Sequence, residues 1–374
     1  MPASTEIAPS SPPRRVLIVL LGAIGDVVRA LPLLGRMRRA WPDAHLAWAV
    51  EPKSSPILEG HPWLNEIILY DRRHAPWSFV PFLREVRARK FDLVVDLQRH
   101  LKSGITSLVS GAPDRIGFDA ANAKELNHLF STRRIAPQPN MRLKLLQYQA
   151  FGDALGLPPA PVEFGLDASE TERKRALELL AEAPRPLLGV ILGSSWPSRI
   201  YFPKSTAEVI TQLARPSNGT APLFPVLLGG PDETAIAGEV ARLLDGIPVL
   251  NLAGKTSLRD LIAIFSSCAA AFGPDSGPMH IAAAVGCPIV SLWGSTAAER
   301  SAPWGFADFA ISSEIPCHPC YLRECPIGRE CMWRIEPSQV ASMLKRALGA
   351  RPANPASKAA AIANSLTNQK VNVD

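Results

Sequence analysis

The sequence predicts an α/β protein made of two doubly wound parallel sheets in tandem. Three observations point there. Apolar runs of strand length alternate with segments of helical period along most of the chain. The alternation pauses once, at Pro158-Pro159-Ala160-Pro161, and then starts again. The runs are continuously apolar, as in strands buried on both faces of a parallel sheet, and several end in turns of Gly, Asp and Ser.

In order, Arg15 to Leu21 (RVLIVLL) reads as a buried first strand, Gly22 to Asp26 as a turn, and Val27 to Ala40 as a helix stopped by Trp41-Pro42-Asp43. Leu46 to Val50 and Ile67 to Tyr70 read as strands, Trp77 to Lys90 as a helix, and Phe91 to Leu97 (FDLVVDL) as another strand. From Gly117 to Pro161 the pattern is irregular, with a helix expected over Met141 to Leu155. After the restart, helices are expected at Ser169 to Ala183, Ser205 to Ala214, Glu233 to Leu244 and Leu258 to Ser267. Strands are expected at Leu187 to Leu192, Leu223 to Leu228 and Val249 to Leu252, and a last helix at Pro337 to Leu348. The expected domains are 15–161 and 162–349, flanked by polar segments 1–14 and 350–374 that read as disordered.

The most informative stretch is Phe272 to Gly294. It reads as the end of a strand, a turn over Gly273 to Gly277, a helix over Pro278 to Val285, a strand over Cys287 to Leu292, and a second turn at Gly294-Ser295-Thr296. Parallel sheets bind ligands outside the carboxyl ends of their strands. A helix opening there points unpaired N–H groups and the positive end of its dipole outward, so Asp275, Ser276 and Gly277 suit an anion such as a phosphate. His280 falls in the first turn of the same helix.

At 374 residues the chain is long enough for two domains with separate cores. A charged fraction of 20% beside a hydrophobic fraction of 47% is a globular composition. The net charge of +6 favours anionic partners: nucleic acid, a phosphorylated glycolipid or an acidic membrane surface. The basic residues are spread out and form no nucleic-acid-binding module. No signal-peptide core or membrane-length apolar run is present, so a cytoplasmic protein is expected, at most resting on the inner face of a membrane.

Gly22 to Pro32 carries Asp26, which suits a helix cap. Gly193 to Pro203 (GSSWPSRIYFP) follows a strand and offers Ser194, Ser195 and the fixed cation Arg199; a solvated loop is the plain reading. In Gly229 to Glu233 the glycines permit close approach of a nucleotide, and Asp232 or Glu233 can accept bonds from ribose hydroxyls; a loop and helix cap would look the same. Arg99 and Lys102, in Asp96 to Ser103, suit an anionic acceptor or a solvated basic helix start. Of the six cysteines, Cys268 and Cys287 sit in apolar runs and read as buried small hydrophobes. Cys317, Cys320, Cys325 and Cys331 cluster; four thiolates suit zinc, but the spacing is not that of paired knuckles, and reduced thiols without metal are expected.

The run D-S-G-P-M-H-I-A-A-A, followed by G-C-P and L-W-G-S-T, resembles the signature of glycosyltransferase family nine, the ADP-heptose:lipopolysaccharide heptosyltransferases. Gly25-Asp26 with Leu31-Pro32 resembles a second family element, and Asp96, Gln98, Lys102 and Ser103 a third. Arg199 stands where the family usually has Lys, and Tyr201-Phe202-Pro203 where it has Trp-Pro. The resemblance spans Arg15 to Leu348. It implies a GT-B fold of two Rossmann-like domains facing a central cleft and an inverting, metal-independent transfer without cofactor. Asp26 would be the general base and Arg199 would act on the leaving group. Ser194, Ser195, Asp232, Glu233, Asp275, Ser276, Gly277 and His280 would hold a nucleotide-diphospho-sugar, and Arg99 and Lys102 an anionic glycolipid acceptor of the lipopolysaccharide inner core. Three other readings stay open: a relative using another nucleotide-sugar for a different cell-surface glycan, a nucleotide-sugar-binding protein without turnover, and, on the four clustered cysteines alone, a zinc-dependent interaction protein.

Overall fold

The computed structural model describes residues 12–215 and 221–349. The expected disordered segment 350–374, and the first eleven residues of 1–14, lie outside them. Two compact units divide between Gly165 and Leu166.

The first unit holds β1 (Arg15–Val19), α1 (Ile24–Ala40), β2 (His45–Val50), β3 (Glu66–Leu69), α2 (Phe79–Ala88), β4 (Leu93–Asp96), α3 (Leu101–Ser110), β5 (Asp114–Gly117), β6 (Arg133–Arg134) and α4 (Lys144–Ala154). Its six strands are parallel in the order β3-β2-β1-β4-β5-β6. Leu17, Val19, Ala47, Ala49, Val94, Phe82 and Val86 form its core. The apolar runs became the central strands because both sheet faces are covered. The order reverses between β1 and β4, where Val19 pairs with Asp96. The loops after these two strands therefore open at the switch point, where such sheets bind ligands.

The second unit holds α5 (Glu170–Leu179), β7 (Leu187–Ile191), α6 (Pro203–Ala214), β8 (Phe224–Leu228), α7 (Thr234–Leu243), β9 (Leu250–Asn251), α8 (Leu258–Ser267), β10 (Cys268–Pro274), α9 (Gly277–Ala284), β11 (Ile289–Trp293), α10 (Ala298–Ser301), β12 (Ala310–Ser312), α11 (Glu330–Trp333) and α12 (Pro337–Gly349). Its sheet is parallel in the order β12-β11-β10-β7-β8-β9, and the order reverses between β7 and β10. The two strands stay close to their ends: a Cβ on Gly273 would lie 2.6 Å from the Ile191 carbonyl oxygen. Glycine at that point keeps the loops after β7 and β10 side by side.

The irregular stretch from Gly117 contains β6 and α4, and β5 ends on its first residue. The charged strands β5 and β6 complete one edge of the first sheet and β12 one edge of the second. No helix of the described residues is long and apolar enough to cross a membrane.

Candidate active site

The first unit assembles its polar centre around Asp26. Helix α1 starts at Ile24, with Ala23 in the capping position, so Asp26 lies in the first turn and does not cap it. This corrects the cap reading: the helix begins two residues before Asp26, whose own N–H donates to the Ala23 carbonyl at 2.9 Å, and its carboxylate meets side-chain donors instead. Arg29 Nη2 donates to Oδ1 at 2.7 Å, and Lys144 Nζ lies 2.9 and 3.2 Å from the two oxygens. Tyr148 Oη donates to Oδ1 at 3.2 Å. Arg29 is one helical turn from Asp26 on α1; Lys144 and Tyr148 are one turn apart on α4.

Arg36 brings α4 to that position. Its buried guanidinium donates to the Leu157 carbonyl at 2.8 Å and pairs with Asp153 at 2.9 Å. Gly152 leaves it room, since a Cβ there would fall 2.7 Å from the guanidinium carbon. Burial alone would push the Asp26 carboxyl up, but Lys144 and Arg29 outweigh it and hold the group far below the usual carboxylate range. Tyr148 is pushed well above its ordinary value by burial and by the Asp26 charge, and stays a neutral donor.

The loop after β4 supports the loop after β1. Gln98 Oε1 accepts the Leu21 N–H at 2.8 Å, and Asp96 accepts the Gln98 N–H at 3.0 Å and Asn127 Nδ2 at 2.9 Å. Burial raises the Asp96 carboxyl to about 7, against the lowering effect of these bonds. Arg99 stacks on Phe118 at 4.3 Å and donates to Gln147; Lys102 lies 4.9 Å from the Tyr70 ring centre.

In the second unit the loops after β7 and β10 are tied together. Ser194 Oγ donates to the Asp275 carbonyl at 2.7 Å, and Arg199 Nη1 meets Asp275 Oδ2 at 3.0 Å. Thr296 Oγ1 donates to the same carboxylate oxygen at 2.7 Å, and Arg199 stacks 4.0 Å over Trp196. Ser276 precedes α9 without capping it, and its buried Oγ has no hydrogen-bond partner among the described residues. A hydroxyl beside the amino end of a helix can donate to an anion's oxygen together with the helix N–H groups. His280 is buried in α9, and Ser195 is exposed on the Arg199 loop.

Glu233 lies against both glycine turns: a Cβ on Gly193 would strike its carboxyl group, and its Oε2 accepts the Gly230 N–H at 2.6 Å. Asp232 beside it is exposed. The segment 315–333 braces these loops. Ser198 Oγ donates to the Leu322 carbonyl at 2.6 Å, Arg329 donates to the Ile200 carbonyl at 3.0 Å, and Tyr321 N–H donates to the Ser295 carbonyl at 2.7 Å. Cys325 and Cys331 belong to this brace: Cys325 Sγ accepts the Arg329 N–H, and Cys331 Sγ would lie 2.8 Å from a Cβ on Gly294. Among the described residues no group of three or more His, Cys, Asp or Glu is arranged to hold a metal ion.

Residues 80–330 match the model of glycosyltransferase family 9 (heptosyltransferase). The chain belongs to glycosyltransferase family 9. It is 28% identical over 314 residues to the lipopolysaccharide core heptosyltransferase OpsX of Haemophilus influenzae, covering 83% of this chain and 86% of that one. It is 27% identical over 363 residues to lipopolysaccharide heptosyltransferase 1 of Pseudomonas aeruginosa, covering 89% and 98%. Among solved structures, a family 9 glycosyl transferase of Veillonella parvula superposes with a TM-score of 0.74 at 22% identity, covering 90% of this chain and 97% of that one. The E. coli heptosyltransferase WaaC with ADP superposes with a TM-score of 0.68 at 19% identity, covering 89% and 99%.

The two six-stranded sheets are thus the GT-B-like double Rossmann fold of family 9, and the chain is a glycosyltransferase. Within each unit, the candidate residues fall at the sheet's switch point: Asp26 and Asp96 to Ser103 in the first, Arg199 and Asp275 to His280 in the second. Arg29, Lys144, Tyr148 and Arg329 are the partners that the sequence did not single out, while Thr296 was read only as part of a turn. Of these, only Arg29 was within reach of a pattern, three residues after Asp26 on one helix face.

Proposed function

We propose that this glycosyltransferase moves a heptose from ADP-L-glycero-D-manno-heptose to an inner-core sugar of lipopolysaccharide, with inversion. The observation that carries the reading is the joined pair of loops in the second unit, with Arg199 on Asp275 at 3.0 Å and the buried Ser276 hydroxyl at the start of α9. An arginine, a helix amino end and an unmatched hydroxyl together suit a diphosphate, and the named activities of the relatives supply the sugar.

In this reading Ser276, Gly277, Arg199 and the dipole of α9 take up the negative charge that develops on the leaving diphosphate. Asp275 and Trp196 aim the guanidinium. Glu233, with Asp232, borders the glycine turns where a nucleoside would approach, and His280 supports α9 from within. The acceptor hydroxyl oxygen bonds to the anomeric carbon as the carbon–oxygen bond to the diphosphate breaks, and its proton passes to Asp26. Arg199 and the positive dipole end of α9 supply the charge stabilisation, with no metal called for. Arg99 and Lys102 contribute to the basic surroundings of an acidic glycolipid, which the enzyme would meet at the inner face of the cytoplasmic membrane.

Arg199 in place of the family's usual Lys favours a second reading, in which another nucleotide-sugar is the donor. A melting-temperature panel of ADP, UDP, GDP and their sugars separates the two, because a ligand that binds only the folded chain raises its stability. Stabilisation by ADP and ADP-heptose, followed by heptose transfer to a core oligosaccharide, is expected. Stabilisation by UDP- or GDP-sugars alone would move the chain to the second reading. Nucleotide binding with no transfer to any acceptor would leave a binding protein.

A further inference from the structure

We propose that Lys144 is an acceptor-operated latch on Asp26: it holds the carboxylate while no acceptor is present, and an acid group on the acceptor draws it away and leaves Asp26 able to take the hydroxyl proton. The inference rests on the reading of Asp26 as the base. It adds how that base is switched on, and by what chemical class of acceptor.

The two cations on Asp26 are not equivalent. Arg29 is on the same helix and 9% exposed, whereas the Lys144 side chain is 25% exposed. Arg29 is a planar fork fixed one turn along α1; Lys144 is a point charge on a flexible stem. Of the two, Lys144 is the partner that can leave. Its place in the fold also costs something: Lys144 is the first residue of α4, where the helix dipole disfavours a cation. The Asp26 carboxylate is what offsets that cost in the structure, and an incoming acid group would do the same.

The latch resolves a conflict within the site. A base works best with a pKa near the working pH. Asp26 is held far below the ordinary carboxylate value by Lys144 and Arg29 together, against its burial. Withdrawing Lys144 removes one of the two attractions, and the same burial then raises the proton affinity of the carboxylate. The groups facing Asp26 are Arg29 from α1 and Lys144 and Tyr148 from α4; the turn Ser55–Ile57, also packed on α1, brings no ionisable side chain. Arg99, from the loop after β4, faces Tyr148, which remains a neutral donor; of the two cations bonded to Asp26, Lys144 is the one exposed enough for acceptor charge to reach directly. A carboxylate or phosphate near the accepting hydroxyl fits the latch; a neutral sugar does not.

The test uses the full chain and a core oligosaccharide lacking heptose in three forms: native, with its carboxyl groups esterified, and dephosphorylated. With the parent, kcat should fall at least tenfold for whichever form lacks the operating acid group, which also tells carboxylate from phosphate. Lys144→Met should reduce that discrimination to within about twofold and move the acid limb of the kcat/KM profile upward, toward ordinary carboxylate values near pH 4. Lys144→Arg should keep part of the discrimination. A second readout needs no turnover: carbon-13 signals of the aspartate carboxyls, with Asp26 assigned by Asp26→Asn. The Asp26 signal should begin to titrate above about pH 4 when native oligosaccharide is added and stay ionised with the neutralised form. A Lys144→Met variant with undiminished discrimination, or an Asp26 signal indifferent to saturating native oligosaccharide, would overturn the latch. Failure of the parent to transfer from any donor would sink the transfer reading instead, and the carboxyl titration would still decide this one.

Discussion

Arg199 and Asp275 join the two loops that leave the second sheet at its switch point, through an ion pair of 3.0 Å that is 15% and 11% exposed. Thr296 adds a third loop by donating to the same oxygen at 2.7 Å. An ion pair so shielded from water is geometrically fixed, and its carboxylate spends part of the arginine's charge on aiming it. The local field at the start of α9 therefore depends on Arg199 being held as well as charged.

Arg199→Met is expected to lower kcat/KM about 10²–10³-fold, the usual scale for one group stabilising a developing anion. Arg199→Lys should recover only part, since lysine keeps the charge but neither the fork nor the stacking on Trp196 at 4.0 Å. Steady-state transfer kinetics with ADP affinity measured alongside checks this. Normal turnover in a folded Arg199→Met enzyme would remove the residue from the leaving-group site.

Gln98 is predicted to act by positioning the loop that carries Asp26. Its side chain is the acceptor for the Leu21 N–H at 2.8 Å, five residues before Asp26. Gln98→Leu should cost about 1–3 kcal/mol by leaving that N–H without its acceptor. It should also lower kcat more than it raises KM for the donor. Gln98→Glu, which keeps an acceptor oxygen, should restore much of kcat. Equal loss of stability in both variants with kcat intact would make Gln98 structural only.

How much of this was legible depends on where the residues lie. Central strands β1, β4, β7 and β10 came through because their apolar runs are continuous. The edge strands β6 and β12, and β5 next to β6, are two to four residues long and carry Asp, Arg or Ser, so no run marks them. The site residues at strand ends were legible as turn chemistry. Lys144 and Tyr148 were not, because 118 and 122 residues separate them from Asp26 and only the packing of α4 on α1 brings them together. The cysteine-rich segment showed its thiols in the sequence, but its bracing of the Arg199 loop runs through main-chain carbonyls that no residue pattern encodes.

Asp96 gives a pH signature to the first unit. Its carboxyl is raised to about 7 in the fold from an unfolded value near 4. The folded state then binds more protons than the unfolded state between these values, so this group's contribution to stability falls as pH rises from about 4 to about 7 and is level above that. Asp96→Asn, neutral throughout, should gain melting temperature relative to the parent across that window. Thermal melts from pH 5 to 8 test it: a constant difference between the two proteins would mean that Asp96 is ionised over the whole range.

Asp26 is the residue whose replacement separates chemistry from architecture. Since it does not cap α1, its loss removes bonds from Arg29, Lys144 and Tyr148 and leaves two cations facing one another. Asp26→Asn keeps the shape and one acceptor oxygen, so a cost of about 1–3 kcal/mol is expected, the scale of hydrogen bonds to a charged group. The folded pKa is depressed, so the stability Asp26 supplies is present above about pH 4 and is lost as pH falls below it. The melting temperatures of parent and variant should therefore converge toward acid. Turnover should respond on a different scale. At neutral pH, well below the melting temperature, a missing base costs about 10²–10⁴-fold in rate. Donor binding, built on the second unit, should be unchanged. Single-turnover transfer at saturating donor, with melts on the same samples, reads both quantities. A folded Asp26→Asn enzyme that transfers within a few-fold of the parent would leave Asp26 as the anchor of Arg29 and Lys144 and send the search for the base to another residue.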